Sequence, residues 1–177
     1  MSQDAYPRAV SGVETAGKSF PVFMSRARLS VREYLFLGLV VAFWAGFVVF
    51  LGKDTSWDFR NYHWYAPYAF LNHRMGFDVT VAHQASYYNP FLDIPFYLLA
   101  THLPSWLALA ILGAVQGLNV VPLYLMARSV LRFADYRLYA GALAILGETG
   151  ALTLSLFGCT YYDNVMSVLV LAGLAIL

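Results

Sequence analysis

From Tyr34 to Gly52 the chain runs YLFLGLVVAFWAGFVVFLG without a single charge. At about 1.5 Å per residue, a helix of that length reaches about 28 Å, close to the hydrocarbon thickness of a bilayer. No water-soluble fold has room for many such runs, and this chain has several. Hydrophobic residues make up 60% and charged residues 12%, against about 45–50% and 25% in soluble domains. Inside lipid every backbone N–H and C=O must find its partner within the protein, so spanning segments of this kind are helical. The expected fold class is all-α: a polytopic transmembrane helical bundle with juxtamembrane helices in a large first external loop. A cleaved signal peptide is the competing reading of residues 34–52. The run is longer than a signal core, and no A-x-A-like site follows it, which favours an uncleaved span.

The remaining apolar runs set the expected order. Spans are expected at about 34–52, 105–126, 138–157 and 165–177, with external loops at 53–104 and 158–164. Residues 1–33 form a polar tail whose Lys18, Arg26, Arg28 and Arg32 place it in the cytoplasm by the positive-inside rule. Arg128 to Arg137 then forms a turn on the same side. The stretch from Phe91 to Met126 reads either as two spans broken at Pro104 or as a short helix followed by one span. Two spans would leave about 13 residues for the first, too few to cross, and would export Arg128, Arg132 and Arg137. A juxtamembrane helix from Phe91 to Leu103 is therefore expected. The final run from Val165 is also short of a crossing, so the chain is expected to belong to a longer membrane protein; a short or interfacial last helix is the alternative.

Between these spans, Lys53 to Asp93 reads KDTSWDFRNYHWYAPYAFLNHRMGFDVTVAHQASYYNPFLD. It carries Asp54, Asp58, Asp78 and Asp93, three of the four histidines, and dense Tyr, Trp and Phe. Asp58, Asn61, Tyr62 and Tyr65 fall at helical spacing and are expected on one face; Pro67 should kink or restart that helix. Within the spans, Glu148 is the one charge, and a carboxyl at such depth calls for a partner. Gln116 and Asn119 lie at similar depth on the preceding span, so a Glu148–Gln116 hydrogen bond is expected, either as structural polar glue or as a proton or substrate path.

Several classes are excluded. A net charge of +1 gives no field for nucleic acid. One cysteine, Cys159, permits no internal disulfide framework. There is no CxxC, HExxH, Walker loop or GxGxxG, and the histidines show no metal-ligand spacing.

The order of features resembles the N-terminal third of the GT-C glycosyltransferases, multispanning enzymes that use lipid-linked sugars, such as protein O-mannosyltransferases and the aminoarabinose transferase of lipid A. The resemblance rests on Asp58, Tyr62 and Tyr65-Ala66 in WDFRNYHWYAPYAF after the first span. It continues with NPFLDIPF from Asn89 to Phe96, with His102-Leu103-Pro104-Ser105 opening a span, and with Tyr124-Leu125-Met126-Ala127-Arg128 closing it. Last comes TYYDN with Asp163. The chain departs from the family pattern in having Asp58-Phe59 for the usual Asp-Glu pair and Asn89 for the His or Lys before the prolines.

The resemblance implies a polyprenyl-phosphate sugar donor, membrane lipids as surroundings, and a site on the outer face of the bacterial inner membrane. Sugar transfer needs a base for the acceptor hydroxyl, passage through an oxocarbenium-like state, and cations or N–H donors for the departing phosphate. Asp58 is expected as the general base, with Asp163 as a second catalytic acid that orients the acceptor. Arg60, Tyr62, His63, Arg74, Asn89 and Asp93 are the candidate substrate-binding residues. No metal ligand set is assigned, though Asp58 and Asp163 together offer oxygen to Mg or Mn. A transporter or flippase centred on Glu148, and a non-catalytic multispanning protein, are the alternatives.

Overall fold

The computed structural model describes residues 28–78, 82–131 and 135–176. Lys18, Arg26 and Arg132 lie outside the described residues. Every regular element among those described is helical.

Helix α1, Val31–Leu51, starts earlier than Tyr34 because of a local signal in the sequence. Ser30 and Glu33 form a capping box: the Ser30 N–H and hydroxyl both donate to Glu33 Oε2, at 2.7 and 2.6 Å. That arrangement satisfies backbone donors which a helix start leaves unpaired. At the other end Gly52 takes a positive φ of 85°, and its N–H donates to the Val48 carbonyl, so the chain leaves the helix there. The following helices are α2 (Tyr65–Leu71), α3 (Asp93–His102), α4 (Ser105–Gly117), α5 (Val120–Val130), α6 (Tyr136–Glu148), α7 (Ala151–Leu156) and α8 (Asp163–Ile176). Pro67 and Pro95 each sit in the first turn of their α-helix, where proline is best tolerated.

Among the described residues two helices are long and apolar enough to cross a membrane: α1, and the near-continuous rod Ser105–Val130 made of α4 and α5. This differs from the four crossings expected. The run 138–157 is not one helix, because Thr149 and Gly150 leave helical geometry after α6, and Gly150 enters α7 with an extended ψ of 144°. Gly favours such a break because it loses the most backbone freedom in a helix. Helix α8 has 14 described residues, too few on their own for the hydrocarbon thickness.

Helix α1 lies along α4, and α5 packs against α6 and α8. The α1–α4 approach depends on Gly113 and Gly117, four residues apart on one face of α4. A Cβ on Gly113 would stand 2.7 Å from the Trp44 carbonyl oxygen, and one on Gly117 would stand 2.9 Å from the Trp44 side chain. Small residues at this spacing let helix backbones come close, the usual route to tight packing where lipid supplies no hydrophobic drive. Around this contact Trp44, Val48, Leu109 and Phe157 form one buried cluster. Leu37, Val120, Tyr124, Ala140 and Ala144 form a second.

The buried polar groups are paired differently from expectation. Glu148 does not reach Gln116; its Oε2 accepts from Trp44 Nε1 at 2.7 Å. Indole N–H has no other use in an apolar interior, and the near approach of α1 brings it to the carboxyl. Arg128 is not part of a solvated turn either. It is buried in the last turn of α5, 3.4 Å from Glu33 Oε1, which also accepts from the Tyr124 hydroxyl at 2.7 Å. Arg137, exposed at the start of α6, lies 3.7 Å from the same carboxylate. Glu33 is thus a buried anchor at one end of the bundle and not the end of a loose tail.

Candidate functional site

The chain leaves α1 through two short polar links. Asp54 Oδ1 accepts the Ser56 N–H at 2.8 Å, and Ser56 Oγ accepts the Phe59 N–H at 3.2 Å. These turn the backbone into a wide π turn, Phe59–His63, which runs on into α2. Such turns are uncommon and often occur at functional sites. The extra width changes the expected face. Tyr62 stays beside Asp58, but Asn61 Nδ2 donates to the Trp57 carbonyl at 2.8 Å, and the Tyr65 hydroxyl donates to Asp78 at 3.2 Å.

A second segment, 157–162, comes to meet this turn. Gln116, fully buried on α4, holds it by both ends of its amide. Its Oε1 accepts the Gly158 N–H at 2.9 Å, and its Nε2 donates to the Cys159 and Leu156 carbonyls at 3.0 and 3.3 Å. Gly158 has φ 79°, and the Phe157 ring stacks on Trp44 with centroids 4.0 Å apart. One step further into the rod, Asn119 Nδ2 donates to the Asn164 carbonyl at 2.6 Å and its Oδ1 accepts from Ser167 at 2.9 Å, which fixes the start of α8. The buried amides of the α4–α5 rod therefore position the second loop and α8, a role that equal depth of Glu148 and Gln116 does not reveal.

With that loop in place, the Tyr161 hydroxyl donates to Asp58 Oδ2. Next to this pair, His63 Nδ1 lies 2.8 Å from Asp93 Oδ1, with both side chains largely buried. The His63 ring stands against Tyr62, Tyr161 and Tyr162, with centroids 4.4, 5.5 and 6.0 Å away. His63 Nε2 and the Tyr162 hydroxyl are buried without a hydrogen-bond partner. Burial first, and then the nearby Asp58 charge, pushes the Tyr62 phenol up to about 12. The hydrogen bond to Asp58 is the main cause of the raised Tyr161 phenol. Burial and the neighbouring Asp93 raise Tyr162.

Beside this cluster lies a cavity of about 330 Å³. Its walls include Phe59, Trp64, Phe96 and Leu109, and Lys53, Asp54 and Arg60 also line it. Lys53 and Asp54 follow the end of α1, and Leu109 lies in α4, so the cavity sits at neighbouring ends of the two membrane-length helices.

Of the expected site residues, the fold brings Asp58, Tyr62, His63 and Asp93 into one cluster and puts Arg60 on the adjacent cavity. Three others lie apart. Arg74 is committed to Asp78, with Nε donating to Oδ2 at 2.6 Å, and that bond holds the Asp78 carboxyl below its usual range. Asn89 accepts the Phe91 N–H at 3.0 Å and caps a short 3₁₀ turn, Pro90–Leu92. Asp163 is exposed as the first residue of α8, where a carboxylate suits the helix dipole, and it shares no bond with Asp58. Its place in the cluster is taken by Tyr161 and Tyr162 of TYYDN, phenols that a pattern of carboxylates does not single out. Lys53 and Asp54, two charges directly after the long apolar run, also belong to the cavity wall. Among the described residues no three His, Cys, Asp or Glu side chains converge as a metal set, so the Mg or Mn expectation has no ligand cluster to rest on.

No known protein family, curated protein or solved structure matches the chain.

Proposed function

We propose that this chain belongs to a multi-pass glycosyltransferase of the bacterial inner membrane, with its N-terminus cytoplasmic, that moves a sugar from a polyprenyl-phosphate donor to an acceptor at the outer face. Asp58 is its general base. One observation carries the reading: two segments 103 residues apart are drawn together so that Asp58 is held by Tyr161 at the end of a membrane-length helix. A carboxylate in that position can meet both a lipid-borne donor and a water-borne acceptor. In the reaction the acceptor O–H breaks and its proton passes to Asp58. The acceptor oxygen bonds to the anomeric carbon, and the bond from that carbon to the phosphate oxygen breaks, leaving its electron pair on the phosphate. The hydroxyls of Tyr161 and Tyr62 orient the carboxylate.

The transport reading has less support. Glu148 is bonded to Trp44, and Gln116 and Asn119 are occupied in holding loop and helix backbone. The test is transfer by membranes that contain the full-length protein, incubated with a labelled polyprenyl-phosphate sugar. Asp58→Asn is expected to abolish transfer while the protein still inserts; transfer at the wild-type rate by that variant removes Asp58 as the base.

A further inference from the structure

At the Glu33 end of α1, away from the loop layer, positive charge is left over. Glu33 is the buried carboxylate there, and it is shared. Its Oε2 accepts both donors of Ser30, at 2.7 and 2.6 Å. Its Oε1 accepts from Tyr124 at 2.7 Å and lies 3.4 Å from Arg128 and 3.7 Å from Arg137. Two guanidiniums thus divide one oxygen, neither at the usual hydrogen-bond length, and the buried Arg128 keeps Nε and Nη1 without a hydrogen-bond partner. Arg28 and Arg32, both exposed beside the Ser30 cap, make no ion pair among the described residues. Against these arginines the described residues of this end offer Glu33 and, at the start of α6, Asp135. The surface around the cations is apolar. Val31, Tyr34 and Leu35 on the first turns of α1, Val130 at the end of α5, and Leu138 and Tyr139 on α6 are all exposed.

We infer that this end of the bundle is a docking surface for anionic phospholipids of the surrounding bilayer. The headgroup phosphate meets Arg28, Arg32 and Arg137, and the acyl chains lie along Val31, Leu35, Val130 and Leu138. Guanidinium forks match phosphate oxygens, and their apolar stems can lie along hydrocarbon while the heads stay in the headgroup layer. Tyr34 and Tyr139 suit that boundary, with a ring on the apolar side and a hydroxyl on the wet side. The surplus charge sets the preference. A zwitterionic lipid brings the same phosphate with a cation attached, which the arginines repel, whereas a net-negative headgroup is attracted by each of them. A soluble anion would serve the arginines and leave the apolar rim in water. The inference goes beyond the transferase reading and does not depend on it; it needs only that α1 and the α4–α5 rod stand in a bilayer.

The experiment sets two lipids with the same acyl chains, phosphatidylglycerol and phosphatidylcholine, in competition for the full chain in detergent. Bound lipid is counted in native mass spectra. Phosphatidylglycerol is expected to be retained about tenfold more than phosphatidylcholine, the scale of a few basic side chains facing anionic lipid. Arg28→Gln, Arg32→Gln and Arg137→Gln together should bring the two lipids level, whereas the same three positions changed to Lys should keep most of the preference. Arg28→Gln with Arg32→Gln, which leaves both arginine contacts of Glu33 in place, should remove at least half of it and decides the matter if the triple variant does not fold. Equal retention of the two lipids by the unaltered protein overturns the assignment. So does an undiminished preference in the Gln variants, which would move the lipid to the Lys53 and Arg60 end. Glycerol phosphate at the concentration of the lipid should displace nothing; displacement would replace the bilayer surface with a site for free anions. None of these readouts uses sugar transfer, so this surface and the transferase reading fail separately.

Discussion

The helical rod and the loop layer above it are held by different forces. In the rod, α1 meets α4 through glycines, and apolar side chains fill the remaining contacts. The few polar groups there meet across helices, as Trp44 with Glu148 and Tyr124 and Arg128 with Glu33. In the loop layer the elements are short: a π turn, 3₁₀ turns and two helices of seven and ten residues. Their order comes from rings packed edge to face and from carboxylates shared with Tyr, His and Arg. The rod is built so that backbones touch, whereas the layer is built so that side chains face one another. The ionisable groups of the layer lie together beside a cavity, whereas those of the rod lie between packed helices.

The largest expected effect comes from breaking the backbone contact in the rod. Gly113→Leu places a branched side chain where even a Cβ would lie 2.7 Å from a carbonyl oxygen, so α1 and α4 must separate. A loss of about 3 kcal/mol is expected, the upper end for an overpacked interior site. It is read as a lowered unfolding midpoint in detergent, with wild-type stability as the failing result.

Next is the paired charge. Trp44→Phe keeps the ring against Phe157 but removes the N–H from Glu148, leaving a buried carboxyl without its donor. The expected cost is about 1–3 kcal/mol, and adding Glu148→Met should recover most of it. If the double variant is as unstable as the single one, the bond contributes nothing and packing alone decides.

Gln116→Ala acts on the junction between the two regions. It removes three hydrogen bonds to the loop backbone and should leave the unfolding midpoint within about 1–2 kcal/mol of wild type. Amide exchange at Gly158 should become faster, and prenyl-phosphate-dependent transfer should fall further than stability does. Unchanged exchange at Gly158 would show that the stacked Phe157 holds the loop without help.

The smallest effect sharpens the picture of the layer. Burial, and then the Asp58 charge, push the Tyr62 phenol up to about 12, above the ordinary phenol value of about 10. The folded state therefore holds that proton more tightly than the unfolded chain does. Its contribution to stability is fully present below pH 10 and is lost as the pH rises through 12. In Asp58→Asn the Tyr161 phenol should move down most, because its main perturbation is the bond to Asp58. Tyr62 should move less, because burial leads among its causes. Difference absorbance during alkaline titration reads both, and an unmoved Tyr161 would break the Asp58 contact.

The sequence carried the rod more legibly than the layer. An uncharged run of membrane length announces itself, and Ser30-x-x-Glu33 even marks the true start of α1. What it hid was partnership. Depth counting paired Glu148 with Gln116 because both are polar at one level, but rotation about the helix axis decides who meets, and the Gly113–Gly117 face turned α4 so that α1 brought Trp44 to the carboxyl. In the layer Asp58, Tyr62, His63 and Asp93 were legible as polar residues in an aromatic loop near a span. Their assembly was not, since it depends on a π turn that shifts the helical register and on two tyrosines from a distant loop. Arg74 and Asn89 read as ligand-facing because nothing in one dimension shows Asp78 or the Phe91 N–H already using them.

That distance has a consequence for synthesis. Asp58 leaves the ribosome 103 residues before Tyr161; at about 5–20 residues per second the wait is about 5–20 s. For that interval the first loop stands without its clasp, open to whatever escorts or degrades newborn chains. A polypeptide stalled before Tyr161 would therefore form its first helix and still present no finished cluster.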